Sequence, residues 1–271
     1  MIRIIVLLSL LFMASMAQDH CIVTMGYKPK PKEPYIFADD SGIYRDVYGE
    51  AFSRIGCTLK IIRLPKLRMI QKMKNGTIDF YPAFQFTKER AAYASFVPSK
   101  INHKHVLVTR TDYSEITDVK QLLARKPTLL KEIGGYSALE GIPAKRFETT
   151  DISIQKTMEL LLKHRIDAFN SIQVIIEYYL KKHDDEASKI RLSKHFFKNE
   201  KIHTLGFSRA SPYFTEKNND AFDPRIPISE KNSPTVADEN SVVYRFAKAL
   251  EQMEDEGFIR HIYDRYRKRV E

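Results

Sequence analysis

Arg90 stands three residues after Thr87, where an apolar, strand-like run ends and a helix is predicted to begin. Threonine is a favoured helix N-cap, so Arg90 falls in the first helical turn. A cation is disfavoured there because the free backbone N–H groups carry partial positive charge. A bound anion, held jointly by backbone N–H groups and the guanidinium, would remove the conflict. The alternative is an arginine that points into water.

Residues 1–17 predict an exported protein. A short basic stretch at Met1–Arg3 precedes the apolar run Ile4–Ala14, and small residues end the segment at Ala17. This order is typical of a signal peptide, with cleavage after Ala17 and a soluble exported product. A retained membrane anchor is the alternative, although the apolar run is too short to cross a bilayer.

The composition favours a folded domain and gives no sign of nucleic-acid binding. The chain has 271 residues, 43% of them hydrophobic, and a formal net charge of +10. Such a hydrophobic content excludes a disordered chain. The basic residues are spread along the sequence, and the dense cluster Arg265–Arg269 is interpreted as the basic end of a helix.

Two cysteines, Cys21 and Cys57, each open a predicted strand. In an exported protein such a pair favours one disulfide. If the two strands are parallel neighbours, both sulfur atoms lie at the same end of the sheet, where a bridge is possible. Two buried free thiols are the alternative.

Strand and helix patterns alternate through the chain. Apolar residues recur every four positions from Ile43 to Ile55, and Gly56 ends that helix. The residues predicted to face inward on the short helix after Pro65 are Leu67, Ile70 and Met73. A similar alternation returns between residues 128 and 182. The pattern predicts an α/β protein with two lobes, each a parallel sheet covered by helices.

Catalytic and metal-binding patterns are weak. The segment Gly206–Ala210 matches only part of a nucleophile elbow and has no assigned base. His103 and His105 would face one side of a strand, but without a third ligand they are interpreted as ordinary surface histidines. The sequence therefore predicts a protein without a cofactor or a catalytic metal.

Short motifs follow one another in a characteristic order from Cys21 to near the C-terminus. They are Pro34-Tyr35, Gly42–Asp46, Ile55–Cys57, Pro65 with Arg68, Asn75–Asp79, Thr87 with Arg90 and Phe96, and Gly257 with Ile262 and Tyr266. In this order and spacing the chain resembles the family 3 extracellular solute-binding proteins. The cysteine pair is similar to that of a divergent branch of the family.

The resemblance implies a bilobal clamshell of the type II periplasmic-binding-protein class, with two parallel or mixed sheets flanked by helices. The first lobe would contain residues 18–109 and 204–271, and the second lobe residues 110–203. Two strands, near Val106–Thr109 and Ile202–Phe207, would form the hinge. A solute that contacts both lobes would stabilise the closed form.

The resemblance also implies where a ligand binds. Arg90 matches the arginine that holds a ligand carboxylate, and Gln85 matches a polar neighbour that assists it. The other residues implied at the site are Arg68, Tyr27, Tyr35, Gly135, Tyr136 and Asn170. Lys66 is also expected there, although it departs from the family pattern: relatives often carry an aromatic residue after the proline, and the lysine adds positive charge instead. Ordinary packing is the alternative for the tyrosines at 27 and 35, and a simple turn is the alternative for residues 134–137.

One departure from the family pattern concerns the charge of the ligand. Amino-acid binders usually carry a carboxylate for the ammonium group after an Asp-Ala pair, whereas Asp167-Ala168 leads here to Asn170. Acidic residues that could replace it from other loops are Asp39, Asp40 and Glu132. Three cations, Lys66, Arg68 and Arg90, are expected to converge at the site, so the sequence favours a carboxylate or another anionic solute.

These observations predict a monomeric binding protein, not an enzyme, that passes a small polar solute to an inner-membrane ABC permease. The solute would be an amino acid or an organic acid. One alternative is a dehydratase-like enzyme on the same fold, with Glu132 as its candidate acid or base. The other is a sensor that hands its signal to a membrane receptor.

Overall fold

The computed structural model describes residues 21–101, 103–132, 137–150, 153–198 and 203–268. The predicted signal peptide, residues 1–17, lies outside these ranges. Within them, no helix combines the length and the apolar character needed to cross a membrane.

Strands and helices alternate through most of the described chain, as the sequence predicts. The described strands are β1 (Cys21–Tyr27), β2 (Cys57–Arg63), β3 (Phe80–Tyr81), β4 (Ala94–Pro98), β5 (His105–Arg110), β6 (Thr128–Glu132), β7 (Lys145–Thr149), β8 (Ala168–Ile172), β9 (Ile190–Ser193), β10 (Thr204–Ser208), β11 (Glu216–Asn218) and β12 (Thr235–Ala237). The described helices are α1 (Ile43–Arg54), α2 (Lys66–Lys74), α3 (Lys88–Ala91), α4 (Val119–Ala124), α5 (Ile154–Leu162), α6 (Gln173–Lys181), α7 (Asp184–Ala187), α8 (Val242–Asp255) and α9 (Phe258–Lys268).

Ten of the described strands form two mixed sheets, and β11 and β12 form a separate ribbon. The first sheet has the order β2-β1-β3-β10-β4, with β1 parallel to β2 and β3, and β10 antiparallel to β3 and β4. The second sheet has the order β7-β6-β8-β5-β9, with β6 parallel to β7 and β8, and β5 antiparallel to β8 and β9. Two mixed sheets flanked by helices confirm the predicted fold class.

The chain passes twice from one sheet to the other. The first crossing segment runs from the end of β4 at Pro98 to the start of β5 at His105. The second crossing segment runs from the end of β9 at Ser193 to the start of β10 at Thr204. Strand β5 pairs with β8 and β9, so the predicted hinge strand Val106–Thr109 belongs to the second sheet. The first change of sheet therefore precedes residue 105, whereas the sequence interpretation put it after residue 109.

Aromatic side chains fill the core beside the first sheet. Phe52 of α1 stacks on Phe246 of α8, with ring centroids 4.2 Å apart. Phe80 and Phe207, from neighbouring strands, stack at 5.0 Å. All four rings are buried. Burial of such a side chain stabilises the fold by about 1.5–3 kcal/mol, so this cluster is a main contribution to the stability of the first lobe.

The core of the second sheet is largely aliphatic and contains a buried ion pair. Arg110, at the end of β5, is 7% exposed and lies 3.1 Å from Asp167. Its guanidinium also donates to the carbonyl oxygens of Leu161 and Ile166, at 3.0 and 2.9 Å. Burial disfavours the charged form of Asp167, but hydrogen bonds from the Thr128 N–H and from Arg110 outweigh it and lower the pKa of this carboxyl. The pair thus fixes β5 against the strands and helix around it.

Cys21 and Cys57 form a disulfide, as predicted. The two residues face each other at the amino ends of β1 and β2, because these strands are parallel neighbours paired in register. The bridge joins residues 36 positions apart. It lies at the opposite end of the sheet from the loops that follow the parallel strands.

Helix α2 exposes a residue that was expected to face inward. Leu67 is 82% exposed, whereas Met69 and Met73 are fully buried. With Pro65 as the N-cap, the buried stripe follows the i, i+4 spacing of the two methionines. Residues 67 and 73 are six positions apart and lie on different faces of a helix with 3.6 residues per turn, so the predicted stripe was wrong at its first member.

Candidate ligand-binding site

The segment around Arg90 adopts the predicted helix start. The Thr87 hydroxyl accepts a hydrogen bond from the Arg90 N–H at 3.1 Å, which caps α3. Helix α3 has only four residues, so its dipole is weak and offers little positive potential of its own. Recognition of an anion here therefore depends on the guanidinium rather than on the helix terminus.

The Arg90 guanidinium is half-buried and held on two sides. Its Nη1 donates to the backbone oxygen of Gln85 at 2.7 Å, and its centre lies 4.3 Å from the centroid of the Phe84 ring. Within the described part of the chain, no carboxylate lies within 4.0 Å of it. Because a guanidinium has five N–H donors and no acceptor, donors remain for an incoming anion.

Phe84, the platform beneath Arg90, depends on a glycine. Gly206 in β10 lies directly under the ring: a Cβ at this position would lie 2.2 Å from Cδ1 of Phe84. A carbon atom cannot approach another that closely, so the ring holds this height only because residue 206 has no side chain. The sequence pattern around Gly206 indicated only an incomplete nucleophile elbow and not this packing role.

Gln85 and Asn170, both predicted at the site, bond to histidines at the two crossing segments. The Nε2 amide of Gln85 donates to Nδ1 of His203 at 2.9 Å. The Nδ2 amide of Asn170 lies 3.4 Å from Nδ1 of His105, and its Oδ1 accepts from the hydroxyl of Ser137 at 2.7 Å. Polar side chains of both sheets are therefore connected across the crossings.

Three imidazole rings are stacked at this place. The ring of His203 lies between those of His103 and His105, with centroid distances of 4.3 and 5.5 Å and interplanar angles of 29° and 22°. His103 is only 4% exposed, so its interpretation as a surface histidine was wrong. Among the described residues, no cluster of three or more candidate metal ligands occurs.

Both ring nitrogens of His103 have partners. Nδ1 lies 2.8 Å from the Ile101 carbonyl oxygen, and Nε2 lies 3.2 Å from the hydroxyl of Tyr44. The opposite face of the ring stacks on Tyr35 at 5.0 Å. Burial, followed by the proximity of His203, lowers the pKa of His103 well below its ordinary value. This imidazole is therefore neutral around pH 7 and serves as a packed support for the stack.

Tyr27 and Tyr35 belong to the core rather than to an open crevice. Tyr27 is 3% exposed and packs edge to face against Tyr44 at 5.9 Å. Tyr35 is fully buried, and its hydroxyl lies 3.0 Å from that of Tyr263. Burial raises the pKa of both phenols far above the ordinary value. The structure favours packing for both residues, and only Tyr35 reaches the histidine stack.

The predicted cations Lys66 and Arg68 lie at the start of α2. Arg68 is exposed and Lys66 is half-buried. Helix α2 follows β2, and the Gln85–Arg90 segment follows β3, so both lie beyond the carboxyl ends of strands that run parallel to β1. Strand β1 lies between β2 and β3, so α2 and the Gln85–Arg90 segment are at the same edge of the first sheet. This shared edge supports the predicted convergence of Lys66, Arg68 and Arg90.

The acidic residues proposed as an ammonium partner are engaged elsewhere or not described. Asp39 accepts from the Ser41 hydroxyl at 2.6 Å, and Asp40 pairs with Arg63 at 2.6 Å. Glu132 ends β6, and its side chain lies outside the description. Gly135 and Tyr136, which were expected to contribute from the second lobe, also lie outside the described residues.

A cavity of about 360 Å³ lies elsewhere, between α6, α7 and α9. Its lining is mainly apolar and includes Val174, Tyr178 and Tyr266. None of the predicted ligand residues lines it. The polar arrangement of Arg90, Gln85 and Asn170 is thus separate from this cavity.

Comparison with known proteins decides the family. A family model for bacterial extracellular solute-binding proteins, family 3, matches residues 23–269. The chain belongs to this family. As a family 3 solute-binding protein it has the expected two-sheet fold, and the match extends over both crossing segments and both sheets. No curated protein sequence matches the chain.

Solved structures of similar fold cover nearly the whole chain. An ancestral arginine-binding protein bound to arginine is 14% identical, with a TM-score of 0.62 over 90% of this chain and 97% of that one. The substrate-binding protein of an amino acid ABC transporter is 17% identical, with a TM-score of 0.61 over 90% and 98%. The VFT2 domain of Bordetella pertussis BvgS is 19% identical, with a TM-score of 0.65 over 92% and 94%. At these identities the similarity establishes the fold.

Proposed function

We propose that this family 3 protein is periplasmic and captures a small polar solute bearing a carboxylate, which it presents to an ABC importer. The observation that carries the proposal is the Arg90 guanidinium. It is half-buried, oriented by Phe84 and the Gln85 carbonyl, and without a carboxylate in ion-pairing range among the described residues. A partly desolvated cation is stabilised by an anionic partner, so an anion is the ligand that complements it.

The guanidinium is also held in an orientation suited to a planar ligand group. One of its donors is committed to Gln85, and the Phe84 ring covers one face. The remaining N–H groups form a fork, which matches the two oxygens of a carboxylate. Because the stacking contact restricts the side chain before a ligand arrives, less conformational entropy is lost on binding.

The neighbouring polar groups favour an acid without an ammonium group. Gln85, Asn170 and Ser137 are neutral, and Asp39 and Asp40 are engaged in local contacts. The ammonium group of a bound zwitterionic amino acid would have neither Asp39 nor Asp40 as a partner, and burying an unpaired charge costs free energy. An organic acid, or an amino acid bound through its carboxylate alone with its ammonium group in water, avoids that cost.

Two crossing segments between two sheets are suited to hinge closure. A solute bound to Arg90 and Gln85 of the first sheet and to Asn170 of the second would contact both lobes. It would then stabilise the closed arrangement by its differential affinity for that state. A closed, loaded protein differs in shape from an open, empty one, and an importer distinguishes the two by this difference.

A thermal-shift screen tests the proposal. Mono- and dicarboxylates, amino acids and polyamines are compared, and a ligand at a hundred times its Kd should stabilise the protein by about 2.7 kcal/mol. For the ligand found, Arg90→Ala should weaken binding by roughly 10- to 150-fold, because a charge-assisted hydrogen bond contributes about 1.5–3 kcal/mol. The matched control is Arg260→Ala, an exposed arginine on α9.

Two results would contradict the proposal. Stabilisation by polyamines rather than by acids would show that the site prefers cations. Equal affinity of wild type and Arg90→Ala for the same acid would remove the guanidinium from the site. For the transport step, deletion of the gene should abolish uptake of that acid by the cell. Unimpaired uptake would argue for the sensor role instead.

A further inference from the structure

The histidine stack joins the two crossing segments to the proposed ligand residues. His203 ends the second crossing segment, His103 belongs to the first, and His105 begins β5. The backbone oxygen of His203 also accepts a hydrogen bond from the Ser99 N–H at 2.9 Å. Rotation of one sheet relative to the other would act on these rings, because both connections between the sheets meet here.

In the structure the Nε2 amide group of Gln85 faces Nδ1 of His203, and this orientation defines the roles of the two groups. The Nε2 amide group of glutamine carries two hydrogens and can only donate, so Nδ1 of His203 must accept. Accepting requires a bare Nδ1, which places the proton of the neutral ring on Nε2. The same reasoning applies to His105, whose Nδ1 faces the Nδ2 amide of Asn170 at 3.4 Å. In these orientations, both contacts require a histidine Nδ1 that carries no hydrogen.

Protonation of His203 would reverse the Gln85 contact. The added proton goes to Nδ1, where the N–H would face an N–H donor of the amide. The amide must then turn over, so that its oxygen accepts from the imidazolium and its NH₂ group points the other way. The end of the Gln85 amide that points away from His203 thus changes from an acceptor to a donor. A bound carboxylate would be favoured by this donor and by the positive charge of the imidazolium.

We propose that His203 is a positioning residue that links the protonation of the hinge to the hydrogen-bonding character of Gln85, and thereby to the capture of anions. Its value for ligand binding rests on the proposed function, since Gln85 is assigned to the site there. Gln85 is the connecting residue: its side chain bonds His203, and its backbone oxygen accepts from Arg90.

Other titratable and charged groups around the stack affect the same equilibrium. They are Tyr35 and Tyr44, which contact His103, Lys32, whose charge acts on His103, and Lys104, which lies between His103 and His105 in the chain. The Lys32 cation and a second charged ring oppose protonation of the stack. A bound carboxylate would offset that repulsion, so proton uptake and anion binding are expected to favour each other.

The test is an NMR titration of the protein without ligand, labelled with ¹⁵N and ¹³C in histidine and glutamine, between pH 8 and pH 5. The ring signals of His203 and the side-chain NH₂ signals of Gln85 should shift with one shared midpoint. At pH 8, two-bond ¹H–¹⁵N couplings should show His203 protonated on Nε2. In His203→Gln the Gln85 signals should lose this titration. The matched control, His261→Gln on α9, should titrate as the wild type does.

The proposal is overturned if the Gln85 signals do not follow His203, if the neutral ring carries its proton on Nδ1, or if the titration survives in His203→Gln. The coupling measurement uses the wild-type protein, so it decides the matter even if the variant does not fold. Because no ligand is present, failure here leaves the thermal-shift result standing. Conversely, absence of acid binding would refute the proposed function without changing the link between His203 and Gln85.

Discussion

The two sheets share the same strand–helix alternation but are held together differently. The first has an aromatic core and a disulfide between two parallel strands, the edge strand β2 and its neighbour β1, which are bridged at their amino ends. The second has an aliphatic core, no cysteine in the sequence between residues 58 and 271, and a buried arginine that pairs with two carboxylates, of Asp112 and Asp167, and donates to two carbonyls. The first lobe thus combines aromatic packing with a covalent link, and the second combines aliphatic packing with a buried arginine.

Removal of a core ring should have the largest effect. Phe246→Ala deletes the partner of Phe52 and leaves a cavity, so we expect a loss of about 3–5 kcal/mol in the free energy of unfolding. Urea denaturation followed by circular dichroism is the measurement, since the chain has no tryptophan. Leu161→Ala, in the aliphatic core, is the matched variant. A loss below about 1 kcal/mol for Phe246→Ala would mean that the ring stack does not stabilise the first lobe.

The disulfide should come next. Replacing both Cys21 and Cys57 by serine releases a loop that spans 36 positions, and the loop-entropy relation predicts a loss of about 3–4 kcal/mol. Hydrogen exchange should show faster opening of β1 and β2 than of β5 and β8. Uniform loss of protection in both sheets would instead show that the two lobes unfold as one unit.

The buried ion pair offers the corresponding test in the second sheet. Asp167→Asn removes one of the two carboxylates that pair with Arg110, the other being that of Asp112, and should cost about 1.5–3 kcal/mol. Because the pKa of Asp167 is lowered in the folded state, its stabilising effect is present above the unfolded pKa and is lost as the pH falls through the acid range. The variant should therefore lose part of the wild-type pH dependence below about pH 4. Glu230→Gln, at an exposed carboxylate, is the control and should change stability little.

The lowered pKa of His103 should cause a smaller change in stability, at higher pH than the change due to Asp167. Its pKa is lowered in the folded protein by burial and by His203, so the unfolded chain takes up a proton first as the pH falls below about 6.5. Stability should then decrease by up to about 1.4 kcal/mol per pH unit until the folded pKa is reached. His103→Phe should flatten this dependence, whereas His261→Gln should not. An unchanged slope in His103→Phe would assign the proton to another group.

Local patterns in the sequence were sufficient for the strand–helix alternation, the disulfide and the capped turn at Arg90. Each depends on residues close in sequence or on strands with an obvious order: Thr87 and Arg90 are three positions apart, and Cys21 and Cys57 begin neighbouring strands. The buried face of α2 was predicted wrongly at Leu67, because the apolar residues were assigned to a stripe containing Leu67 instead of the one containing Met69 and Met73.

The histidine stack could not be predicted from local sequence patterns. His103 and His203 are a hundred positions apart in the sequence, and nothing near either residue marks it as buried. Only the pairing of β10 with β4, together with the two crossing segments, brings their rings to 4.3 Å. The same is true of Gly206, whose missing side chain matters because Phe84 comes to lie above it.

Gly206 determines how close the Phe84 ring lies to β10, and thereby the position of the Arg90 guanidinium beside the ring. A methyl group introduced there would push Phe84, and with it the guanidinium that rests on the ring, without altering any charged residue or any group that touches a solute. Under the proposed function, selectivity among acids of different length would then depend on a residue hidden in a strand, which makes position 206 a natural starting point for redesigning that selectivity.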